Sequence, residues 1–119
     1  MSNATIIRVD KNTNYTVVNN QMYQSRNMSL KARGLLGTIL SLPPTWEYSI
    51  KGLAAVCKES PDTIGSTMRE LRELGFVEMI RHKPSIENGG RYKTEYIVHE
   101  TSVTPDKLDL IQKWKNNGL

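Results

Sequence analysis

The stretch that most constrains the fold of this chain is a capped amphipathic helix that runs directly into a strand, "SPDTIGSTMRELRELGF". Ser60 followed by Pro61 is typical of an N-cap and the first helical position. The apolar residues that follow recur at helical spacing and share one face: Ile64, Met68, Leu71 and Leu74. Gly75 is the residue type that most often ends a helix. The stretch therefore predicts a helix over 61–74 with one buried face.

The first half of this helix consists of small polar residues that form helices poorly, which calls for a reason. At about 100° per residue, the face opposite the apolar stripe carries Asp62, Ser66, Arg69 and Glu73, with Thr63 and Gly65 at its margins. A helix-turn-helix enters the major groove of DNA by the N-terminal part of its second helix, where small residues allow a close approach. The alternative is ordinary first-turn capping chemistry, and both interpretations stay open at this point.

The flanking segments predict two helices before this one and a hairpin after it. Ser29 is a plausible cap for a helix over 29–42, which Pro43 and Pro44 end, and Ser49 for a helix over 50–58. After Gly75 the apolar period changes to two, which predicts strands over 76–83 and 91–99 joined by a loop rich in turn residues. The order helix, helix, helix, strand, loop, strand is that of a winged helix-turn-helix.

Two further elements are predicted at the ends of the chain. The β-branched runs 6–9 and 15–18 flank turn residues and predict a hairpin, and Thr104-Pro105 predicts a C-terminal helix with an apolar face of Leu108, Ile111 and Trp114. The predicted class is thus α+β, a winged helix-turn-helix with an N-terminal β-hairpin and a C-terminal helix. We expect an extension over 1–28, a winged-helix domain over 29–100, and, over 101–119, a C-terminal helix or the start of a second domain.

The charge of the chain is a modest indication of an anionic partner. The 119 residues carry a net charge of +4, with a pI of about 9.3. The excess positive charge lies after the helix over 61–74 and not on it. Residues 79–93 contain one acidic residue, Glu87, and four cations: Arg81, Lys83, Arg91 and Lys93. We expect these four side chains to gather at the base of the loop and to follow a phosphate backbone, unless they form only a solvated face.

Several function classes are disfavoured by composition. The chain has one cysteine, Cys57, and two histidines, His82 and His99, so no nucleophilic triad or metal-ligand cluster can be assembled. No glycine-rich phosphate loop is present. No apolar run approaches the ~20 residues of a membrane helix, and no signal peptide opens the chain. We expect a cytoplasmic protein that is not an enzyme and has no metal and no cofactor.

The motifs also carry a resemblance. "TIGSTMRELRELGFVEMI" is similar to the recognition helix and first wing strand of bacterial winged-helix proteins. Residues from about 6 to 99 resemble the N-terminal DNA-binding domains of DnaD-like replisome organisers. The most distinctive part is "NMSLKARGLLGTILSLP" followed by W-x-YSIKGLA. These are replication initiators of phages and mobile elements of Gram-positive bacteria. The resemblance implies a non-enzymatic, self-associating module that binds double-stranded DNA during replication initiation.

Two alternatives remain beside the replication role. One is a transcriptional regulator of the same fold, and the other is a winged-helix protein-interaction module that does not bind DNA. We expect homo-oligomers, contacts with other replication proteins and no membrane partner. The predicted DNA-binding residues are, in the third helix and the wing, Ser60, Thr63, Ser66, Thr67, Arg69, Arg81, Lys83, Arg91 and Lys93.

Overall fold

A computed structural model describes residues 5, 6, 8, 14–43 and 49–111 of the chain. The elements in chain order are α1 (Gln21–Gln24), α2 (Leu30–Ser41), α3 (Ile50–Val56), α4 (Pro61–Glu73), β1 (Val77–His82) and β2 (Lys93–Val98). A single 3₁₀ turn, Pro105–Lys107, follows β2. The class is α+β, and the prediction of the three longer helices and of the paired strands is confirmed.

The helix boundaries follow the capping residues that the sequence indicates. The side chains of Ser29, Ser49 and Ser60 each accept a hydrogen bond from a backbone N–H three residues on, at the starts of α2, α3 and α4. At the other end of α4, Gly75 adopts a φ of +83°. The Phe76 N–H then donates to the Leu71 carbonyl at 2.9 Å, which closes the helix in a Schellman motif and turns the chain into β1.

One apolar core holds these elements together. The Ile64 face of α4 packs against α2 and α3, and Phe76 is fully buried where α4 turns into β1. The core also contains Met22 from α1 and Leu108 from the C-terminal segment. The core therefore includes residues on both sides of the predicted domain boundaries at 28/29 and 100/101.

The predicted N-terminal hairpin is wrong in the half that the structure describes. Residues 15–18 form no strand, and the side chains of Tyr15 and Val17 are 76% and 77% exposed. Most of the other half, residues 7 and 9–13, lies outside the described residues. A β-branched run forms a strand only with a partner, and an isolated two-stranded hairpin is marginal in water.

The predicted C-terminal helix is also wrong over the described residues, because it stops after one 3₁₀ turn. Leu108 is already extended, with φ −91° and ψ 143°, and Leu110 forms an antiparallel bridge with Ser25. The Arg26 N–H donates to the Asp109 carbonyl at 2.9 Å, so this segment pairs with the chain before α2. The expected position of Trp114 on the helix lies outside the described residues.

Candidate nucleic-acid interface

The exposed face of α4 is the surface that its sequence pattern predicts. Ile64, Met68 and Leu71 are buried, whereas Asp62, Ser66, Arg69 and Glu73 are exposed. Arg69 forms no ion pair with any residue that the structure describes. This guanidinium is therefore available to an external anion, although two carboxylates share its face.

The hydroxyl groups at the start of α4 are all engaged in local hydrogen bonds. The Ser60 Oγ accepts from the Thr63 N–H at 3.3 Å and lies 3.2 Å from the Thr63 hydroxyl. The Ser66 and Thr67 hydroxyls both donate to the Thr63 carbonyl, at 3.0 and 2.7 Å. Ser60 and Ser66 remain exposed and keep acceptor capacity, so capping and contact with a ligand are compatible at these two residues.

Thr67 does not lie with the other predicted contact residues. Its side chain is only 6% exposed, and its hydroxyl donates back into the helix. The spacing contains the signal for this placement, because Thr67 stands three residues after Ile64 and four before Leu71, both of which are buried. We therefore remove Thr67 from the candidate contact set.

The four predicted wing cations do not form one cluster, because the strand register divides them. β1 and β2 pair antiparallel from Val77 opposite Val98 to His82 opposite Lys93. Successive side chains of a strand point to opposite faces, so Arg81 shares the face of the buried Val77, and Lys93 lies on the other. Lys83 and Arg91 are exposed in the loop outside the two strands. The face that carries Val77 and Arg81 is called the inner face below, and the face that carries Lys93 is called the outer face.

One side-chain hydrogen bond links the inner face of this ribbon to α4, and a second contact lies within the ribbon itself. The Arg72 Nη1 donates to the Met79 sulfur at 3.7 Å, which joins the last turn of α4 to β1. Farther along the same face, the Arg81 guanidinium lies over the Tyr92 ring, 5.3 Å from its centroid. Sequence reasoning missed Arg72 and Tyr92, since only the folded register brings either residue to this surface.

The loop between the strands is internally hydrogen-bonded. The Asn88 and Gly90 N–H groups both donate to the Ser85 carbonyl, at 3.2 and 2.8 Å, and the Asn88 side-chain amide donates to the Lys83 carbonyl at 3.1 Å. Gly89 and Gly90 reverse the chain with φ values of +65° and +75°. This turn presents Ile86 with its side chain 100% exposed.

The outer face of the ribbon carries a repeated pattern. The pattern Glu-x-Ile-x-His occurs at residues 78–82 in β1 and at residues 95–99, where it runs one residue past the end of β2. The antiparallel register joins the histidine of each copy to the glutamate of the other, His82 to Glu95 at 2.8 Å and His99 to Glu78 at 2.7 Å. These cross-strand pairs hold the ribbon in register. They also place two carboxylates on the same face as Lys93, with Glu95 two residues from it, which lowers the positive field on this face.

A half-open groove of ≈ 390 Å³ lies between the N-terminal halves of α2 and α4. Leu35 and Ile64 are among its apolar residues, and the half-buried Cys57 also lines it. Leu30 lines it as well and is 81% exposed. The described residues contain no group of three or more His, Cys, Asp and Glu side chains able to hold a metal ion.

Comparison of the chain with protein-family models, with curated proteins and with solved structures finds no match. In the part of the chain that the structure describes, no helix is long and apolar enough to cross a membrane.

Proposed function

We propose that this chain is a non-enzymatic winged helix-turn-helix module that binds double-stranded DNA. In this proposal α3 and α4 form the helix-turn-helix, and the β1–β2 ribbon is the wing. The observation that carries the proposal is the contact of Arg72 with Met79, which makes the C-terminal end of α4 continuous with the inner face of the ribbon. One duplex could then meet Arg69, Arg72 and Arg81 together.

The role we assign to Arg69 is to hold a phosphate rather than to read a base. Asp62 and Glu73 lie on the same exposed face of α4 and weaken the positive field that would draw the helix deep into the groove. Glu70, whose carboxylate accepts hydrogen bonds from Ser29 at the start of α2, is a third acidic residue of α4 and weakens this field as well. Contacts to phosphate position a protein on a duplex without reading its sequence.

The setting we propose is replication initiation in a phage or mobile element, on the strength of the resemblance to DnaD-like replisome organisers. A winged-helix transcriptional regulator is the alternative within the same class, and the genes beside this one would distinguish the two. Self-association and contacts with other replication proteins belong to the same proposal. Leu108, from the apolar face of the predicted C-terminal helix, is not available for such contacts, because its side chain is only 9% exposed and packs in the core of its own chain.

A protein-interaction module that does not bind DNA is the second candidate. The specific observation that favours it is the groove between α2 and α4, where an exposed Leu30 adjoins apolar residues of both helices. Contiguous exposed apolar surface rimmed by polar residues is typical of sites that receive another protein. Such a module would show no salt-dependent affinity for duplex DNA, which separates the two candidates in one titration.

The first experiment compares two single-charge variants in that titration. We expect Arg81→Gln to weaken duplex binding and to reduce the slope of log affinity against log salt by about one unit for one lost phosphate contact. Lys93→Gln removes the same charge from the outer face and should change the slope much less. Equal effects of both variants would contradict the assignment of the inner face, and no measurable duplex binding by the unmodified protein would favour the interaction module.

The second experiment tests α4 with the double variant Ser66→Ala, Arg69→Ala. Both side chains are exposed and alanine forms helices better than serine, so the melting temperature should stay nearly unchanged. Duplex affinity should fall alike for specific and random sequences if Arg69 holds a phosphate. A loss confined to one base position, with ~1–3 kcal/mol of discrimination, would instead show base reading. Unchanged affinity would mean that the small residues of α4 are capping chemistry only.

A further inference from the structure

The Tyr92 side chain is an aromatic surface with no apolar neighbour to cover it fully. It is 63% exposed, one residue before the start of β2. The Arg81 guanidinium lies over its ring, which restrains the ring and gives it a cationic neighbour. A tyrosine held in this way loses little conformational freedom when a flat partner stacks on it.

The surroundings of Tyr92 supply charge and a second apolar group. Lys83 and Arg91 are exposed in the same loop, and Ile86 on the turn of that loop is fully exposed. The hydrogen bonds from Asn88 and Gly90 to Ser85 order this turn before any partner arrives. The loop thus combines cations suited to a phosphate backbone with two apolar side chains that a phosphate backbone cannot cover.

The chemistry of this combination discriminates between forms of DNA. In a continuous duplex the flat faces of the bases are stacked on one another and closed to side chains. An unpaired base exposes its face, and stacking on an aromatic side chain within a positively charged groove is the usual way in which proteins bind single strands. Apolar side chains inserted at a base step likewise require that the stack be opened.

We infer that the ribbon loop recognises DNA at a junction between duplex and single strand, with Tyr92 stacking on the first unpaired base. This inference rests on the proposed function, because the duplex arm of the junction is held by α4 and Arg81. It goes beyond that function by naming a branched substrate, of the kind that forms wherever a duplex is opened. Arg81 both orients the Tyr92 ring and contacts the adjacent phosphate.

The test measures binding of the full chain to three labelled DNAs of equal phosphate number: a continuous duplex, a fork with unpaired arms, and a single strand. We expect the fork to bind roughly fivefold or more tightly than the duplex, since stacking of one base contributes at least this factor. Tyr92→Ala should abolish the preference for the fork, so that the ratio of fork affinity to duplex affinity falls to about one. Tyr92→Phe, which keeps the ring, should retain the preference and serves as the matched control.

A 2-aminopurine placed at the first unpaired position gives an independent readout of stacking. Its fluorescence should change on binding of the unmodified protein and of Tyr92→Phe, and much less on binding of Tyr92→Ala. Equal affinity for fork and duplex, or a fork preference that survives in Tyr92→Ala, would overturn the inference while leaving duplex binding intact. Binding to none of the three DNAs would overturn the proposed function as well. Thermal melts of both variants exclude loss of folding as the cause.

Discussion

At the scale of single residues, the glycine that ends α4 differs from three glycines inside the helices. Gly75 has a φ of +83°, and a Cβ there would clash with the side chains of Ser102 and Thr104 and lie 2.9 Å from the Thr104 nitrogen. Within α2 and α4, by contrast, a Cβ at Gly34, Gly37 or Gly65 would meet nothing within 4 Å. Among the described residues, no neighbouring element packs closely against these three helical glycines.

Alanine substitution should therefore separate stability from binding at Gly65. We expect Gly65→Ala and Gly37→Ala each to raise the free energy of unfolding by about 0.5–1 kcal/mol, because both positions are helical and unobstructed. Gly65→Ala should also weaken DNA binding if the backbone of α4 approaches the duplex there, whereas Gly37→Ala should not. Urea unfolding and duplex titration of both variants check this expectation, and a destabilising Gly65→Ala would contradict it.

At the scale of elements, α4 completes the N-terminal cap of α2. The Glu70 carboxylate accepts hydrogen bonds from the Ser29 N–H at 2.8 Å and from the Ser29 hydroxyl at 2.7 Å. The Ser29 Oγ in turn accepts from the Ala32 N–H at 3.0 Å. One carboxylate thus orients a capping residue on a neighbouring helix, so that the start of α2 and the C-terminal half of α4 are positioned together.

Removal of this carboxylate should destabilise the fold more than removal of its neighbour on the same helix. We expect Glu70→Ala to lower the free energy of unfolding by about 1 kcal/mol, the usual effect of a lost cap. Glu73→Ala removes the same charge from an exposed position and should change it by less than about 0.5 kcal/mol. Chemical denaturation of the two variants provides the comparison, and equal effects would show that Ser29 caps α2 without help from Glu70.

At the scale of the whole molecule, the segment after β2 fastens the two ends of the core. The Ser102 Oγ donates to the Leu74 carbonyl at 2.5 Å, and the Ser102 N–H donates to the Gln21 side chain at 2.6 Å. Arg26 and Asp109 add an ion pair at 3.1 Å, although both side chains are more than half exposed and the pair contributes little. The C-terminal end of α4 and the short helix α1 are therefore held by residues that follow the ribbon.

A chain shortened to residue 100 should accordingly be much less stable than one that ends at residue 111. Loss of the Leu108 side chain from the core should by itself lower the free energy of unfolding by about 2–3 kcal/mol. Loss of the Ser102 hydrogen bonds adds to this effect. Leu108→Ala in the full chain tests the same contact without truncation, and Val103→Ala, at a half-exposed position, is its control. Unchanged unfolding midpoints for the shortened chain and for Leu108→Ala would mean that the core is complete without this segment.

Much of the fold follows from local signals in the sequence. Each of these signals acts within a few residues: the three serine caps, the helical spacing of apolar residues in α2 and α4, and Gly75. The helix boundaries that they predict agree with the structure to within one to two residues. The exposed face of α4 follows from the same periodicity. The pairing of β1 with β2 is also local, because one loop joins the two strands and sets their register.

The tertiary structure alone decided the features that depend on contacts between distant parts of the chain. Whether residues 15–18 become a strand, or 104–111 a helix, depends on partners far away in sequence, and the bridge from Ser25 to Leu110 prevailed over local propensity. The candidate interface has the same origin. Successive side chains of a strand point to opposite faces of the ribbon. One face covers the core and contacts α4, and the other face meets solvent. Arg81 therefore lies on the same side as Arg72 and Tyr92, while Lys93 shares the other side with Glu78 and Glu95.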